Sequence, residues 1–303
     1  MSSIKNFRDR ILPSKEKKVD DLIDSTEGDI VDIGNQTPYS IAKKILIFIA
    51  GVLFVILVWY LVAEWYNATM MKSIRFPDPA SSFERLYVFF TTDFTVFGSN
   101  IVEHTQASLG RWIKGFTVAL LIGLTLGIML SLNDKMYQFG IVPVNILQMI
   151  PGLAWFPVTI LLFGLGENSA IFIIAITVIS PIAINVSNGL RRVPKVNMRV
   201  ATMSGRTRFE RFTEVLMPFA ALDILMGIRI GMANGWRMLI SAEMVVGVAI
   251  GLGFMISTTS AYLDYVSAFA CIILICMIGL IIDKLILANL ESYARRKLGM
   301  EDV

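Results

Sequence analysis

The sequence predicts an all-α integral membrane protein with six membrane-spanning helices. Of its 303 residues, 55% are hydrophobic and only 17% are charged, and its mean hydropathy of +0.67 is unusually high for a soluble domain of this size. Several uncharged runs meet or approach the roughly 20 apolar residues that a helix needs to cross a bilayer. Because the bilayer core holds no water to satisfy backbone groups, these runs are expected to be helical.

Six spans follow from the apolar runs. Five rest on uncharged stretches, at 45–63, 115–133, 136–166, 168–190 and 265–282. The remaining span, which is the fifth along the chain at about 222–248, is interrupted by charged residues. The predicted segments are a polar cytosolic tail at 1–41, a first span at 42–64, an external segment with an interfacial helix at 65–110, a five-helix core at 111–290 with a cytoplasmic loop at 191–219, and a cytosolic tail at 291–303.

The positive charges predict the orientation. Lys43 and Lys44 precede the first span and Glu64 follows it, so the positive-inside rule places both termini of a six-span chain in the cytoplasm. On this topology 20 of the 27 Lys and Arg residues are cytoplasmic and five are external. Arg111 and Lys114 lie at the outer end of the second span and must reach the interface or face protein.

The external segment predicts a short helix at the outer surface. Ser81 or Ser82 is the expected cap, and Phe83, Leu86 and Phe90 would then share one side. The helix would lie in the interface or serve as a lid on the bundle.

The third run, 136–166, is too rich in proline for one straight helix. Pro143, Pro151 and Pro157 remove backbone donors, so a break near 151–157 is expected. Broken helices at bilayer depth often form transport sites and gates. Gln148, Pro151, Trp155 and Pro157 are therefore candidate pathway or gate residues, and a kinked packing helix is the alternative.

The span at 222–248 carries charged residues and a stripe of glycines. Arg229 is expected to reach the cytoplasmic interface, whereas Arg237 and Glu243 lie deeper and must face protein or water. We favour a structural charge network for these two residues over direct substrate contact. With Trp236 they complete the candidate pathway set. Glycines four residues apart would admit a neighbouring helix, namely Gly227, Gly231 and Gly235.

Several chemistries are excluded by composition. The lone histidine, His104, rules out multi-histidine metal sites and is expected to be a polar surface group. Cys271 and Cys276 are expected to pack or to face lipid. The chain has no Gly-Lys dipeptide and therefore no phosphate-binding Walker loop, so any ATP that drives it must bind another polypeptide.

A basic, amphipathic segment, 199–218, lies between these apolar runs. Phe209 and Phe212 could form an apolar ridge on a short helix at 203–215, suited to a partner's groove. Gly205 permits a close turn at its start. The arginines that flank the ridge are Arg206, Arg208 and Arg211. The alternative is a basic helix that rests on anionic lipid.

This segment resembles the Glu-Ala-Ala loop of ATP-binding-cassette importer permeases. Ala201, Gly205, Val215, Met217 and Pro218 fall at the family's spacing. Arg199 stands where the family has its glutamate, so this chain has no carboxylate at that position. The resemblance extends over about 76–284 and includes Ile150-Pro151-Gly152-Leu153-Ala154-Trp155-Phe156-Pro157, Phe163-Gly164-Leu165-Gly166, Ala242-Glu243-Met244 and Gly251-Leu252-Gly253.

The resemblance is to the nitrate, sulfonate, taurine and bicarbonate branch, and it implies a type I, MetI-like permease. Such a subunit has no ATPase site of its own. Its implied partners are two ATPase subunits that bind ATP and Mg, a second permease copy in a homodimer, an extracytoplasmic solute-binding protein and membrane lipid, with no nucleic acid. It is expected in the inner membrane of a prokaryote, moving a small solute such as an anion. The residues implied to couple to the ATPase are Arg199, Ala201, Gly205, Arg206, Arg208, Phe209, Phe212 and Pro218.

Two other functions fit the composition less well. A secondary transporter driven by an ion gradient should carry acidic residues deep in several spans, but only Glu243 qualifies. A membrane-bound enzyme would need a catalytic set that the sequence does not offer.

Overall fold

The computed structural model describes residues 38–70, 75–92, 94–96 and 98–287. Contacts divide the chain into two units, residues 1–59 and 60–301. The predicted C-terminal tail and nearly all of the predicted N-terminal tail lie outside the described residues.

The described chain is almost wholly helical. Its elements are α1 (Pro38–Thr69), α2 (Pro79–Thr91), β1 (Thr95–Val96), β2 (Ser99–Asn100), α3 (Ile101–Ser131), α4 (Asp134–Met149), a 3₁₀ turn (Gly152–Trp155), α5 (Phe156–Phe163), α6 (Glu167–Arg191), α7 (Lys195–Met203), α8 (Arg208–Arg211), a π segment (Phe212–Leu216), α9 (Met217–Val245), α10 (Leu252–Ala261), α11 (Tyr265–Ile281) and a second π segment (Ile282–Leu287). The two strands pair antiparallel in a small hairpin.

Five helices of the described chain are long and apolar enough to cross a membrane. They are Ile45–Thr69, Ile101–Ser131, Glu167–Arg191, Arg208–Val245 and Tyr265–Lys284. A sixth span is formed when α4 and the segment Gly152–Phe163 are counted as one, bent by 97° at the break. The predicted all-α membrane fold is confirmed, and so is the predicted break in the third run.

The second span begins earlier than the sequence predicts. Asn100 caps α3 in a capping box with Glu103, so the helix starts at Ile101 rather than near 111–115. The reason is that three polar side chains of its first turns, His104, Ser108 and Arg111, are buried in contacts inside the protein, as described below, and do not mark a surface segment. The first helix likewise continues to Thr69, beyond the predicted end at 64.

α6 lies at the centre of the second unit, between α3 and α9. On the α3 side, a Cβ added to Gly115, Gly123 or Gly127 would lie 2.6–2.9 Å from a branched side chain of α6. On the α9 side, Gly227 faces Asn185 of α6, at 2.7 Å for such a Cβ. The remaining glycines of the predicted stripe, Gly231 and Gly235, face Val178 in the same way. The glycines therefore let three spans approach at backbone distance.

Helix α2, which the sequence places outside the membrane, differs in detail from its prediction. Its cap is Asp78, whose carboxylate accepts from the Ser81 amide at 2.8 Å, because Pro79 fixes the first helical residue one turn earlier. Of the three residues predicted to share one side, Leu86 is buried in the main core, but Phe83 and Phe90 are exposed. Phe89 is buried beside Leu86 instead.

Candidate functional site

The basic segment forms two short helices joined by a tight turn. α7 ends at Met203, and Gly205 follows with a φ of +74°, which favours glycine. The amide of Arg206 donates to the carbonyl of Ala201 and closes the turn. Thr207 then starts α8 through a capping box with Glu210. We call residues 191–216 the loop end of the bundle.

The predicted single helix at 203–215 is wrong in its bounds, and so is its aromatic ridge. Phe209 is 75% exposed, but Phe212 packs against the main core. The helix that starts at Arg208 runs on into α9, so Phe212 already lies where the span enters the core. The exposed apolar surface is instead shared by α7 and α8 and consists of Val196, Val200, Met203 and Phe209.

The four arginines of the basic segment, 199–218, fall into two groups. Arg206 pairs with Glu214 at 3.1 Å, and Arg211 donates to the Thr202 hydroxyl at 2.7 Å. These contacts brace α8 against its neighbours. Arg199 and Arg208 are exposed. Of the other predicted coupling residues, Ala201 is buried, and Pro218 lies inside the continuous helix 208–245, directly after the π segment.

The break in the third run is fixed by its neighbours. Pro151 is extended and ends α4, and Pro157 occupies the first turn of α5. Gly152 is buried against Met238 of α9 and Thr177 of α6, which leave no space for a side chain. Gln148, Pro151 and Pro157 are exposed and Trp155 is half-buried, so most of these candidate pathway residues lie on a free face of the single chain.

The candidate residues of α9 separate into buried and exposed groups. Trp236 is buried, donates to the Ile275 carbonyl at 3.3 Å and meets Trp112 edge-on. Arg237 is exposed and bonds to its own helix through Ala233 and Asn234. Arg229 does not need to reach the interface alone, because it pairs with Asp283 after α11 at 3.0 Å. Arg237 therefore lies outside the charge network that contains Glu243.

Glu243 is the centre of a buried polar cluster at the far end of α9. Its carboxylate pairs with Arg111 at 2.6 Å and accepts from the Ser108 hydroxyl at 2.8 and 2.9 Å. The Gly253 amide, at the start of α10, donates to the same carboxylate at 2.9 Å. A carboxylate at a helix N-terminus is favoured by the unpaired amides there. This cluster joins α3, α9 and α10, and we call it the cluster end.

His104 extends the cluster and corrects the prediction of a surface histidine. It is fully buried, its Nδ1 accepts from the Gly251 amide at 3.0 Å, and its Nε2 lies 3.3 Å from the Val96 carbonyl. Accepting at Nδ1 and donating at Nε2 is the pattern of a neutral imidazole. His104 thus ties the hairpin to the turn before α10.

Two glycines make room for this arrangement. A Cβ on Gly251 would lie 2.6 Å from the Glu243 carboxylate, and one on Gly253 would collide with the Ile240 carbonyl. The cluster was not predicted as a unit, since its members come from distant parts of the chain. One sequence signal was present: His104, Ser108 and Arg111 are spaced i, i+4, i+7 and so share one face of α3.

Five apolar spans and one bent pair of helices, with an ordered basic loop between two of the spans, form a multi-pass membrane protein. The model of the family "Binding-protein-dependent transport system inner membrane component" matches residues 115–292, and the chain belongs to this family. It is a multi-pass permease of the nitrate, sulfonate, taurine and bicarbonate branch of ABC importers. ATP hydrolysis in these importers belongs to separate subunits, so the ion-driven transporter and the membrane enzyme are set aside.

Several named proteins are similar over most of their length. The chain is 31% identical to the bicarbonate transport system permease protein CmpB of Synechococcus elongatus, over 80% of this chain and 87% of that protein. It is 32% identical to the nitrate import permease protein NrtB of a Synechocystis species, over 77% and 85%. It is 26% identical to the taurine transport system permease protein TauC of Escherichia coli, over 81% and 87%.

Solved structures share the fold. An inward-facing MetNI methionine ABC transporter matches with a TM-score of 0.53 at 20% identity, over 67% of this chain and 96% of that chain. An amino acid ABC transporter crystallised with histidines matches with a TM-score of 0.52 at 18% identity, over 73% and 99%.

Proposed function

We propose that this permease moves a small anion into the cytoplasm by alternating access, driven by ATPase subunits that dock on the loop end. The observation that carries the proposal is the exposed apolar surface of α7 and α8. Met203 is 89% exposed and Phe209 is 75% exposed, in a short ordered loop that also carries exposed arginines. Exposed apolar anchors among charged residues are typical of a protein interface.

The proposed orientation places the loop end, and both termini, in the cytoplasm of a prokaryotic cell, with the chain in its inner membrane. Most of the basic residues then lie on the cytoplasmic side. The cluster end faces outward, where a solute-binding protein would deliver its cargo. The partner ATPase would bind ATP and Mg, since this sequence offers no phosphate-binding loop of its own.

The proposed assembly is a homodimer with two ATPase subunits. The broken third span leaves large apolar side chains exposed on the single chain, among them Phe139, Met149 and Leu161 at 81–86%. The candidate pathway residues Gln148, Pro151, Pro157 and Arg237 are also exposed rather than enclosed by the protomer. A path bounded by two copies would cover both groups. Native mass spectrometry of the purified complex should give two permease chains, and a single chain would contradict the homodimer.

The docking role is tested by association with the partner ATPase. Met203→Glu and Phe209→Glu place a charge on the apolar surface, and each should reduce the ATPase that co-purifies with the permease by tenfold or more, because a charge buried in an interface is costly. Leu263→Glu is the matched control, since it changes an exposed leucine in the turn between α10 and α11. Undiminished association in both loop variants would contradict docking at this surface.

The substrate class is tested on the binding protein. The similar proteins are named for bicarbonate, nitrate and taurine, so calorimetric titration of the cognate solute-binding protein with each of these three should give one clear binding partner. Binding of a neutral solute alone, with none of the three, would contradict the anion proposal.

A further inference from the structure

The last turn of α6 ends in two adjacent arginines that bind neighbours on opposite sides. Arg191 pairs with Asp134 of α4 at 2.6 Å. Arg192 pairs with Asp223 of α9 at 3.0 Å. α7 begins only a few residues later, at Lys195. The start of the loop end is therefore bound to α4 on one side and to α9 on the other.

The contact with α4 is the more elaborate of the two. The guanidinium of Arg191 lies 4.1 Å from the centre of the Tyr137 ring while it pairs with Asp134. Tyr137 in turn lies over α6, with its hydroxyl 3.4 Å from the Asn188 amide oxygen. A planar guanidinium can stack on a ring and pair with a carboxylate at once, which an ammonium cannot do as well. We call Asp134, Tyr137 and Arg191 the clamp.

Beyond the clamp, α4 packs along one face on α3 and α6, where Tyr137 and Ile141 are partly buried. Val144 is its single buried residue among the described ones, packed with Leu130 of α3 and Ala183 of α6. The helix runs from the clamp at its first turn to Met149, where the break begins. α4 is continuous through Pro143, so a displacement of its first turn at the clamp can be carried along the helix to the break.

We propose that Arg191 is a positioning residue for transport, which makes α4 and the break at 150–156 follow the movement of α7. The proposal rests on the proposed function, because it takes the force on α7 from a docked ATPase. Arg192 serves the other side, where it keeps the start of the loop aligned with α9. Neither arginine needs to contact the transported solute.

Hydrogen exchange of the reconstituted complex, with its partner ATPase and with or without ATP and orthovanadate, tests this coupling. In the unmodified protein the trapped state should change amide exchange both at 195–203 and at 150–156. In Arg191→Gln the change at 195–203 should remain and the change at 150–156 should be lost. Asp134→Asn should act in the same way, and it does not threaten folding because Asp134 is 82% exposed. Arg191→Lys, which keeps the charge but loses the planar stack, should retain part of the change.

Arg192→Gln is the matched control and should keep the change at the break. If the break still responds fully in Arg191→Gln and Asp134→Asn, the clamp does not transmit the movement and the proposal is overturned. If 195–203 does not respond even in the unmodified protein, the docking role fails first, and the clamp proposal falls with it. The two failures are thus distinguishable in one data set.

Discussion

The two ends of α9 hold their charges in opposite ways. At the cluster end the Arg111–Glu243 pair has side chains only 8% and 0% exposed. At the loop end the Arg206–Glu214 pair is 48% and 47% exposed. A buried charge that loses its partner remains desolvated, whereas water screens an exposed one. The difference indicates a cluster end that is fixed by its own packing and a loop end that is free to adapt to a partner.

The glycines repeat the same contrast. Gly251 and Gly253 are required because other atoms occupy the space that a side chain would fill. At the loop end, the space around Gly205 is open, and only its positive φ favours glycine. One end is therefore specified by close packing and the other by backbone conformation alone.

The largest expected effect is at the buried pair. Glu243→Gln leaves the Arg111 charge buried without a counter-charge, so we expect it to lower the free energy of unfolding by about 3–5 kcal/mol. Thermal unfolding of the purified permease measures this loss. Glu214→Gln is the matched substitution at the loop end and should change stability by less than about 1 kcal/mol. Equal losses of stability in the two variants would show that the two ends do not differ in how they hold their charges.

The next effect is at the glycines. Gly253→Ala forces a methyl group against the Ile240 carbonyl and should cost about 1–3 kcal/mol, the usual range for overpacking. Gly205→Ala meets no atom and should cost about 1 kcal/mol from its left-handed backbone. The same unfolding measurement ranks the two. A larger loss of stability in Gly205→Ala than in Gly253→Ala would contradict the conclusion that close packing constrains the cluster end more strongly.

His104→Phe tests the polar contacts of the cluster. The ring is kept beside Phe254, but the Gly251 amide loses its acceptor. A buried donor without a partner costs about 1–3 kcal/mol. Thr105→Val is the control, because its hydroxyl bonds only within α3. If both variants unfold at the same temperature, the hydrogen bond of His104 stabilises the protein no more than the Thr105 hydroxyl does.

The smallest effect is expected for Arg206→Gln. The exposed pair with Glu214 should contribute about 0.2–1 kcal/mol, and less as salt is added. Hydrogen exchange at 208–211 should rise slightly at low salt and not at high salt. A salt-independent loss of several kcal/mol would show that the loop end is as rigidly specified as the cluster end.

The sequence predicts the local features of this fold well. The spans, the break at 150–151 and the position of the basic loop depend on apolar runs, on proline and on motif spacing, features that can all be read within a short stretch of sequence. The pairing of Arg111 with Glu243 was missed because 132 residues separate them, and either charge alone could have faced water. His104 was assigned to the surface for the same reason, since its burial depends on a turn that follows α9.

The detailed structure of the loop end was not predicted from the sequence. Phe209 and Phe212 are three residues apart and would share a face on an isolated helix. Because that helix is the start of a long span, Phe212 enters the core and only Phe209 remains outside. The other exposed apolar side chains of the loop end lie on α7, before the turn at Gly205.

Photo-crosslinking in the assembled complex tests most directly whether the loop end carries the partner. The photoreactive amino acid benzoylphenylalanine, placed at Met203 or at Leu263, samples the two ends from exposed positions. We expect the probe at Met203 to become covalently joined to the ATPase subunit and the probe at Leu263 not to. Capture of the ATPase from position 263, with none from position 203, would contradict it.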